Sequence, residues 1–253
     1  MIRTVLLLTF WIVAALPAAL IGFTWTFISG DVRLLYRIFM LGARFGIWLT
    51  GVRVVTVGLD KLETSRTYVF MSNHASNLDP PIQIPLIPRR TSVMVKKELF
   101  KIPILSRAMH LGALVPVDRG NREAGIEAVA AAKAVVEQGI NMTIYPEGTR
   151  SFDGKMIAFK KGPFYLAMEC GAPVVPMTIT GTHYVMPKRR FAIKPGLVKV
   201  IFHPAIEPND FGSREELMEK VRKIIESALP EEYRVQGSGA RDQGSVKAST
   251  TPS

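Results

Sequence analysis

The chain has 253 residues, enough for one domain of about 200 residues and an addition. Hydrophobic residues make up 48% and charged residues 21%, so a sizeable core is provided for and wholesale disorder is excluded; the one cysteine, Cys170, excludes an intramolecular disulfide framework and a multi-cysteine zinc site. Lys plus Arg number 32 against 21 Asp plus Glu, and this net charge of +11 points to anionic partners: nucleic acid, acidic lipid or phosphorylated substrate.

Between Arg3 and Asp31 lie 27 residues without a charge, rich in Leu, Ile, Val, Phe and Trp. As a helix they would run roughly 40 Å, enough for a hydrocarbon core of about 30 Å. Pro17 and Gly22 interrupt the run, so a kinked or re-entrant segment satisfies it equally. A secretory signal is the rival, but the run exceeds a normal h-region and no clean A-x-A site follows. From Val32 to Leu49, the side chains of Arg33, Arg37 and Arg44 fall within about 40° on a helical wheel. They oppose a surface of Leu34, Leu35, Ile38, Phe39, Leu41, Phe45, Ile47 and Trp48, the pattern of an interfacial helix with arginines towards headgroups. The alternative is a helix packed on the globular body with its arginines in water. Residues 1–50 are therefore predicted to be membrane-anchoring helices.

Short β-rich runs then alternate with helical patterns. Predicted strands are Arg53–Val57, Tyr68–Met71, Ser92–Val95, Ala113–Val117, Met142–Tyr145, Val174–Ile179 and Leu197–Phe202. Predicted helices are Ile104–His110, Arg122–Gln138 with Gly139 as its stop, Pro163–Cys170, and Arg214–Leu229 with Ser213 as its N-cap. This alternation predicts an α/β fold, a largely parallel sheet flanked by helices, over residues 51–234. Residues 235–253 are rich in Gly, Ser and Thr without apolar periodicity and read as a disordered tail.

The positive charge is local. Residues 86–110 carry a net +5, residues 150–161 a net +3 and residues 187–199 a net +5, so the remainder is slightly acidic.

Four short motifs carry chemistry. The first, Asn73-His74-Ala75-Ser76-Asn77-Leu78-Asp79, follows a predicted strand. On one regular helix His74 and Asp79 would lie about 140° apart, so pairing requires the loop that Pro80 and Pro81 permit by suiting a helix's first turn. The plain reading makes Asp79 an N-cap and His74 an ordinary loop residue, and alone the motif is weak. The second, Gly112 to Gly120, is an apolar strand delivering Arg119 at its end. The third, Tyr145-Pro146-Glu147-Gly148-Thr149-Arg150-Ser151, also ends a strand; Gly148 permits close backbone approach and Arg150 can hold phosphate through paired N–H donors. The fourth, Val174-Val175-Pro176-Met177-Thr178-Ile179, reads first as a buried strand. In open α/β sheets ligands gather beyond the carboxyl ends of strands, where the first three motifs would lie. For Arg119 and Arg150, structural ion pairing is the competing reading.

In this order the blocks N-H-x4-D, strand-then-Arg, Y-P-E-G-T-R-S and V-V-P resemble the glycerolipid acyltransferases, specifically bacterial 1-acylglycerol-3-phosphate acyltransferases, over roughly residues 50–210. The resemblance implies an α/β acyltransferase domain beside a two-helix membrane motif. It implies that His74 is the base and Asp79 its partner, and that Arg119, Glu147, Gly148, Thr149 and Arg150 line the acceptor's glycerol-phosphate pocket, with Lys96 a basic position near that phosphate. Val117-Asp118 stands where many relatives carry an aromatic before the arginine. The implied reaction moves a fatty acyl chain from acyl-CoA or acyl-ACP to lysophosphatidic acid, making phosphatidic acid at the phospholipid bilayer, with the catalytic domain on the cytoplasmic face of the inner membrane.

The chemistry is consistent with this. A hydroxyl attacking a thioester must lose its proton, and histidine's ordinary pKa near 6.5 suits that task with an aspartate fixing its tautomer. Asn73 or nearby backbone N–H groups are candidates to steady the oxyanion. No cofactor is expected beyond the thioester co-substrate, and no metal, because His110, His183 and His203 lack ligand-like neighbours. Nucleic acid is not an expected partner, since the positive stretches lack a binding module. Glycerol-3-phosphate or another lysolipid as acceptor, and a non-catalytic adaptor reading anionic lipid, are the alternatives; the adaptor leaves the His–Asp pair and the Y-P-E-G block without purpose.

Overall fold

Short runs of β-branched and apolar residues, broken by glycine and charge, form seven strands in the computed structural model, which describes residues 2–118 and 122–234. They are β1 (Val52–Val57), β2 (Val69–Ser72), β3 (Thr91–Lys96), β4 (Val115–Val117), β5 (Asn141–Ile144), β6 (Val174–Thr180) and β7 (Gly196–Phe202). All seven predicted strands are present. The fourth starts later than predicted because Ala113 stands at φ +59°, outside extended backbone. The sheet order is β1-β7-β6-β2-β5-β3-β4, and every neighbouring pair is parallel except β6 with β7.

The helices are α1 (Ile2–Ser29), α2 (Arg33–Leu49), α3 (Asp79–Gln83), α4 (Pro103–Leu111), α5 (Arg122–Glu137), α6 (Gly162–Cys170), α7 (Thr182–Val185) and α8 (Arg214–Ser227). Gly139, at φ +75°, ends α5 as predicted, where any other residue would be strained. The Ser213 hydroxyl accepts the Glu216 N–H at 3.2 Å and caps α8. One face of the sheet is covered by α5, α6 and α8, which bury Ala132, Phe164, Leu217 and Val221 against Val69, Met142 and Val174. The other is covered by α2, α3 and the loop before α3, which bury Ile47, Ile82 and Leu78 against Phe70, Val175 and Met177. Each such Val, Leu, Ile, Phe or Met side chain contributes about 1.5–3 kcal/mol by leaving water.

Helices α1 and α2 form a hairpin whose close approach depends on small residues. A Cβ at Gly22 would lie 2.4 Å from a Leu35 methyl carbon, and one at Gly46 would lie 3.0 Å from Leu7. Phe10 packs on Phe45 and Trp11 on Phe39. Part of the predicted lipid-facing side of α2 is spent on protein instead: Leu35 and Ile47 are buried. Ala43 beside them is buried too, and the Tyr36 hydroxyl accepts the Thr91 N–H at 3.2 Å. The second face of the sheet needs a cover, and α2 supplies it. Arg33, Arg37 and Arg44 remain exposed, beside exposed Leu41, Phe45 and Trp48. Helix α1 continues through Pro17 and leaves Val5, Leu8, Ile12, Val13, Leu20 and Phe27 exposed. Among the residues whose side chains are described, a set that omits Ala15, Leu16 and Ala19, no helix is long and apolar enough to cross a membrane. The predicted tail, residues 235–253, lies outside the described residues.

Candidate active site

Strands β2 and β5 are parallel neighbours in the register Val69↔Met142, Phe70↔Thr143, Met71↔Ile144, so the residues that follow each strand emerge side by side. This pairing brings the first and third motifs together at the carboxyl edge of the sheet. The chain leaves β2 through Asn73 and His74, loops through Ala75 to Leu78, and enters α3 at Asp79 with prolines in its first turn.

The loop closes the histidine–aspartate gap. His74 Nδ1 lies 2.7 Å from Asp79 Oδ2, and the same oxygen accepts the Ala75 N–H at 2.7 Å and the Ser76 N–H at 2.8 Å. An oxygen facing three groups in this way can only accept, so Nδ1 carries a proton and, in the neutral imidazole, Nε2 presents the lone pair. Asp79 is fully buried and His74 nearly so, at 8% exposure. Asp79 does not cap α3; its carboxylate turns back to the loop preceding it.

Tyr145 fixes the other side of the imidazole. Its ring stacks on His74 with centroids 4.2 Å apart, and its hydroxyl donates to Gln83 Oε1 at 2.8 Å. Gln83 in turn donates to the Ser72 hydroxyl at 2.6 Å. Neither residue was singled out for this from the sequence, where Tyr145 figured only as the head of the Y-P-E-G block; an aromatic at the end of a predicted strand was the one available signal.

Glu147 has both oxygens engaged with backbone. Oε1 accepts the His74 N–H at 2.7 Å and Oε2 the Ile157 N–H at 2.9 Å. Burial pushes its carboxyl up to about 7, against the pull of those two bonds and with Asp79's charge adding to the rise. Asn73 is committed too: its amide donates to the Ile179 carbonyl at 2.9 Å and accepts the Ile179 N–H at 2.8 Å, tying the loop to β6 and leaving the oxyanion to other donors.

Gly148 stands at φ +70°, and a Cβ there would meet Lys160 at 2.7 Å, so the turn after Glu147 needs glycine. Thr149 is exposed and Arg150 half-exposed. Among the described residues the Arg150 guanidinium has no hydrogen-bond partner, while its carbonyl accepts Lys188 Nζ at 2.6 Å. Lys96 ends β3, is separated from β2 by β5, and pairs with Glu98 at 3.5 Å. Lys97 beside it pairs with Asp118. Arg119, two positions after Val117 in the sequence, lies outside the described residues. A cavity of about 960 Å³ opens between α5 and α6 at this edge, walled by Met94, Val117, Ile126, Val129 and Ile144 and bordered by Tyr145 and Gly148. Among the described residues no cluster of His, Cys, Asp and Glu is placed to hold a metal ion.

Residues 53–180, from β1 through β6, match the family model described as Acyltransferase. A 1-acyl-sn-glycerol-3-phosphate acyltransferase from Limnanthes alba is 32% identical over 200 residues, 78% of this chain and 70% of that one. The chain belongs to this acyltransferase family. The alpha form of 1-acyl-sn-glycerol-3-phosphate acyltransferase from Mus musculus is 30% identical over 67% of this chain and 59% of its own. The crystal structure of the 1-acyl-sn-glycerophosphate acyltransferase PlsC from Thermotoga maritima superposes with a TM-score of 0.75 at 29% identity, covering 88% of this chain and 93% of that chain. The sheet described above is thus the sheet of an acyltransferase fold.

Proposed function

We propose that the protein transfers a fatty acyl chain from acyl-CoA or acyl-ACP to the sn-2 hydroxyl of 1-acyl-glycerol-3-phosphate, making phosphatidic acid. The observation that carries this reading is the Asp79–His74 bond, which leaves Nε2 as a base within a family whose relatives bear this activity in their names. His74 Nε2 takes the acceptor's hydroxyl proton as the oxygen attacks the thioester carbonyl. The C–O bond forms, the tetrahedral intermediate collapses, the C–S bond breaks, and the imidazolium returns the proton to the departing thiolate. Asp79 stabilises that imidazolium, while Tyr145 and Glu147 hold the ring and the loop in place. The Arg150 guanidinium, unpaired among the described residues, serves the acceptor phosphate together with Arg119 by paired N–H donors. The apolar cavity suits an acyl chain.

The N-terminal hairpin anchors the enzyme at the bilayer through the exposed apolar face of α1, with the active site on the cytoplasmic side where the thioester donors are made. Purified protein in lipid, given a matrix of donors and acceptors with products resolved by mass, tests the reading. Phosphatidic acid should form from lysophosphatidic acid, and His74→Ala should lose about 10²–10⁴-fold in turnover. Acylation of some other acceptor with none of lysophosphatidic acid would overturn it.

A further inference from the structure

The loop between α7 and β7 holds a cluster that this mechanism does not use. The Arg190 N–H bonds the Pro187 carbonyl at 3.0 Å and closes a four-residue turn. Arg189 occupies that turn's third position at φ +69°, backbone that glycine favours and a long side chain seldom adopts. Arg189, Arg190 and Phe191 are exposed, Phe191 at 78%. Phe152, from the loop after β5, is 57% exposed and lies under Lys188 Nζ at 3.6 Å and the Arg189 guanidinium at 5.0 Å. The sequence has no acidic residue between Gly171 and Ile206, and among the described residues Lys188, Arg189 and Arg190 form no ion pair. Three cations and two aromatics thus share one surface, and among the described residues none of the cations is neutralised by an ion pair.

We propose that the Pro187–Arg190 turn, with Phe152 and Phe191, is a docking surface for the anionic headgroups of a phospholipid bilayer. The proposal rests on the reading that the acceptor is drawn from a bilayer. Its place in the fold supports it. The Thr4 hydroxyl, near the start of α1, donates to the Phe191 carbonyl at 2.9 Å and accepts the Ile193 N–H at 3.0 Å. The turn therefore lies beside the start of α1, where Ile2 and Val5 are exposed. Charge sign supports it too, because guanidinium groups hold lipid phosphates bidentately while phenylalanine rings settle below them. Desolvation, then the neighbouring charges of Arg150 and Arg189, hold the Lys188 ammonium below the ordinary lysine range, so an anion here relieves a crowding of like charge. Through the Lys188 bond to the Arg150 carbonyl and the Ser76 hydroxyl bond to the Met186 carbonyl, a bilayer held at this turn abuts the acceptor end of the active site.

The test is flotation of the full-length protein with vesicles of phosphatidylcholine alone or mixed with phosphatidylglycerol. Arg189→Gln with Arg190→Gln should cut affinity for the mixed vesicles roughly 10- to 30-fold and leave binding to neutral vesicles unchanged. Lys220→Gln with Lys223→Gln removes equal charge from exposed positions on α8, across the sheet, and should keep the wild-type preference. If the double change at the turn fails to fold, Arg190→Gln alone should cost roughly fivefold. A turn variant with an unchanged preference, or an α8 variant with an equal loss, would overturn the docking surface. Turnover of the wild type on lysophosphatidic acid in neutral detergent separates the two readings. Inactivity there with a charge preference lodged in the turn would sink the acyltransferase function and keep the surface.

Discussion

Asp79→Asn isolates charge from geometry at the proposed base. All three donors around Asp79 converge on Oδ2, while Oδ1 is buried with no partner among the described residues. An asparagine will therefore place its oxygen at the Oδ2 position and its NH₂ at the Oδ1 position. The reverse would set an NH₂ against three donors. His74 then still donates from Nδ1 and Nε2 still faces the acceptor, so tautomer and ring orientation survive. What disappears is the negative charge beside the imidazolium that forms in the transition state. For charges roughly 4 Å apart, at an effective dielectric of about 20, that interaction is about 4 kcal/mol. By the usual conversion, turnover should fall about 10²–10³-fold. No hydrogen bond to Oδ2 is lost, so the melting temperature should stay close to wild type. Asp79→Ala, in contrast, orphans the buried Ala75 and Ser76 N–H groups at about 1–3 kcal/mol each, and should lose stability as well as rate. Thiol release measured at saturating donor and acceptor, with thermal melts of both variants, provides the assay. An Asp79→Asn enzyme within about threefold of wild-type turnover would refute the charge argument.

The strands were legible because each is a short β-rich run with a clear break, and the longer helices because glycine and serine mark their ends. The order of the sheet was not legible. That β2 lies between β5 and β6, over a hundred positions on in the case of β6, depends on which apolar faces fit together rather than on any local signal. The His74–Asp79 contact could be argued from the loop and from Pro80, yet Asp79 also bonds the Ala75 and Ser76 N–H groups, which no spacing announces. The same limit explains Asn73 and Glu147. Both are residue types that serve in active sites, and here both satisfy backbone groups of segments that reach them only in the fold, Ile179 for one and His74 with Ile157 for the other. A sequence displays a carboxylate; it does not display which buried N–H groups will claim it. The α2 arginine stripe shows a related ambiguity, since an amphipathic pattern fits a helix on lipid and a helix on a sheet equally well, and α2 covers the sheet while keeping its arginines exposed.

Arg150→Lys should lower kcat/KM for lysophosphatidic acid by about 1.5 kcal/mol, roughly tenfold, and leave the donor's KM unchanged; an equal loss on an acceptor lacking phosphate would show that Arg150 serves the fold. Removal of residues 1–31 takes away α1 but keeps α2, which covers the sheet. It should reduce vesicle binding more than tenfold by the loss of buried apolar area; a truncated protein bound as tightly as the whole chain would place the anchor elsewhere. Glu147→Gln should change how stability depends on pH. The Glu147 carboxyl stands at about 7 in the folded chain against an ordinary 4.5, chiefly through burial. Between those values the folded state binds more protons than the unfolded one, so stability falls as pH rises through the window and is level above it. The shift corresponds to about 3 kcal/mol. The substituted glutamine cannot ionise, and its NH₂ leaves either the His74 or the Ile157 N–H unpaired, a cost of about 1–3 kcal/mol that is the same at every pH. Urea unfolding of both proteins at pH 5 and pH 8 cancels every other titrating group in the difference. The wild type should lose about 2.5 kcal/mol more than Glu147→Gln between the two conditions, since pH 5 already lies inside the window. Parallel losses would mean that Glu147 is ionised throughout and that its two backbone bonds, not its burial, govern its charge.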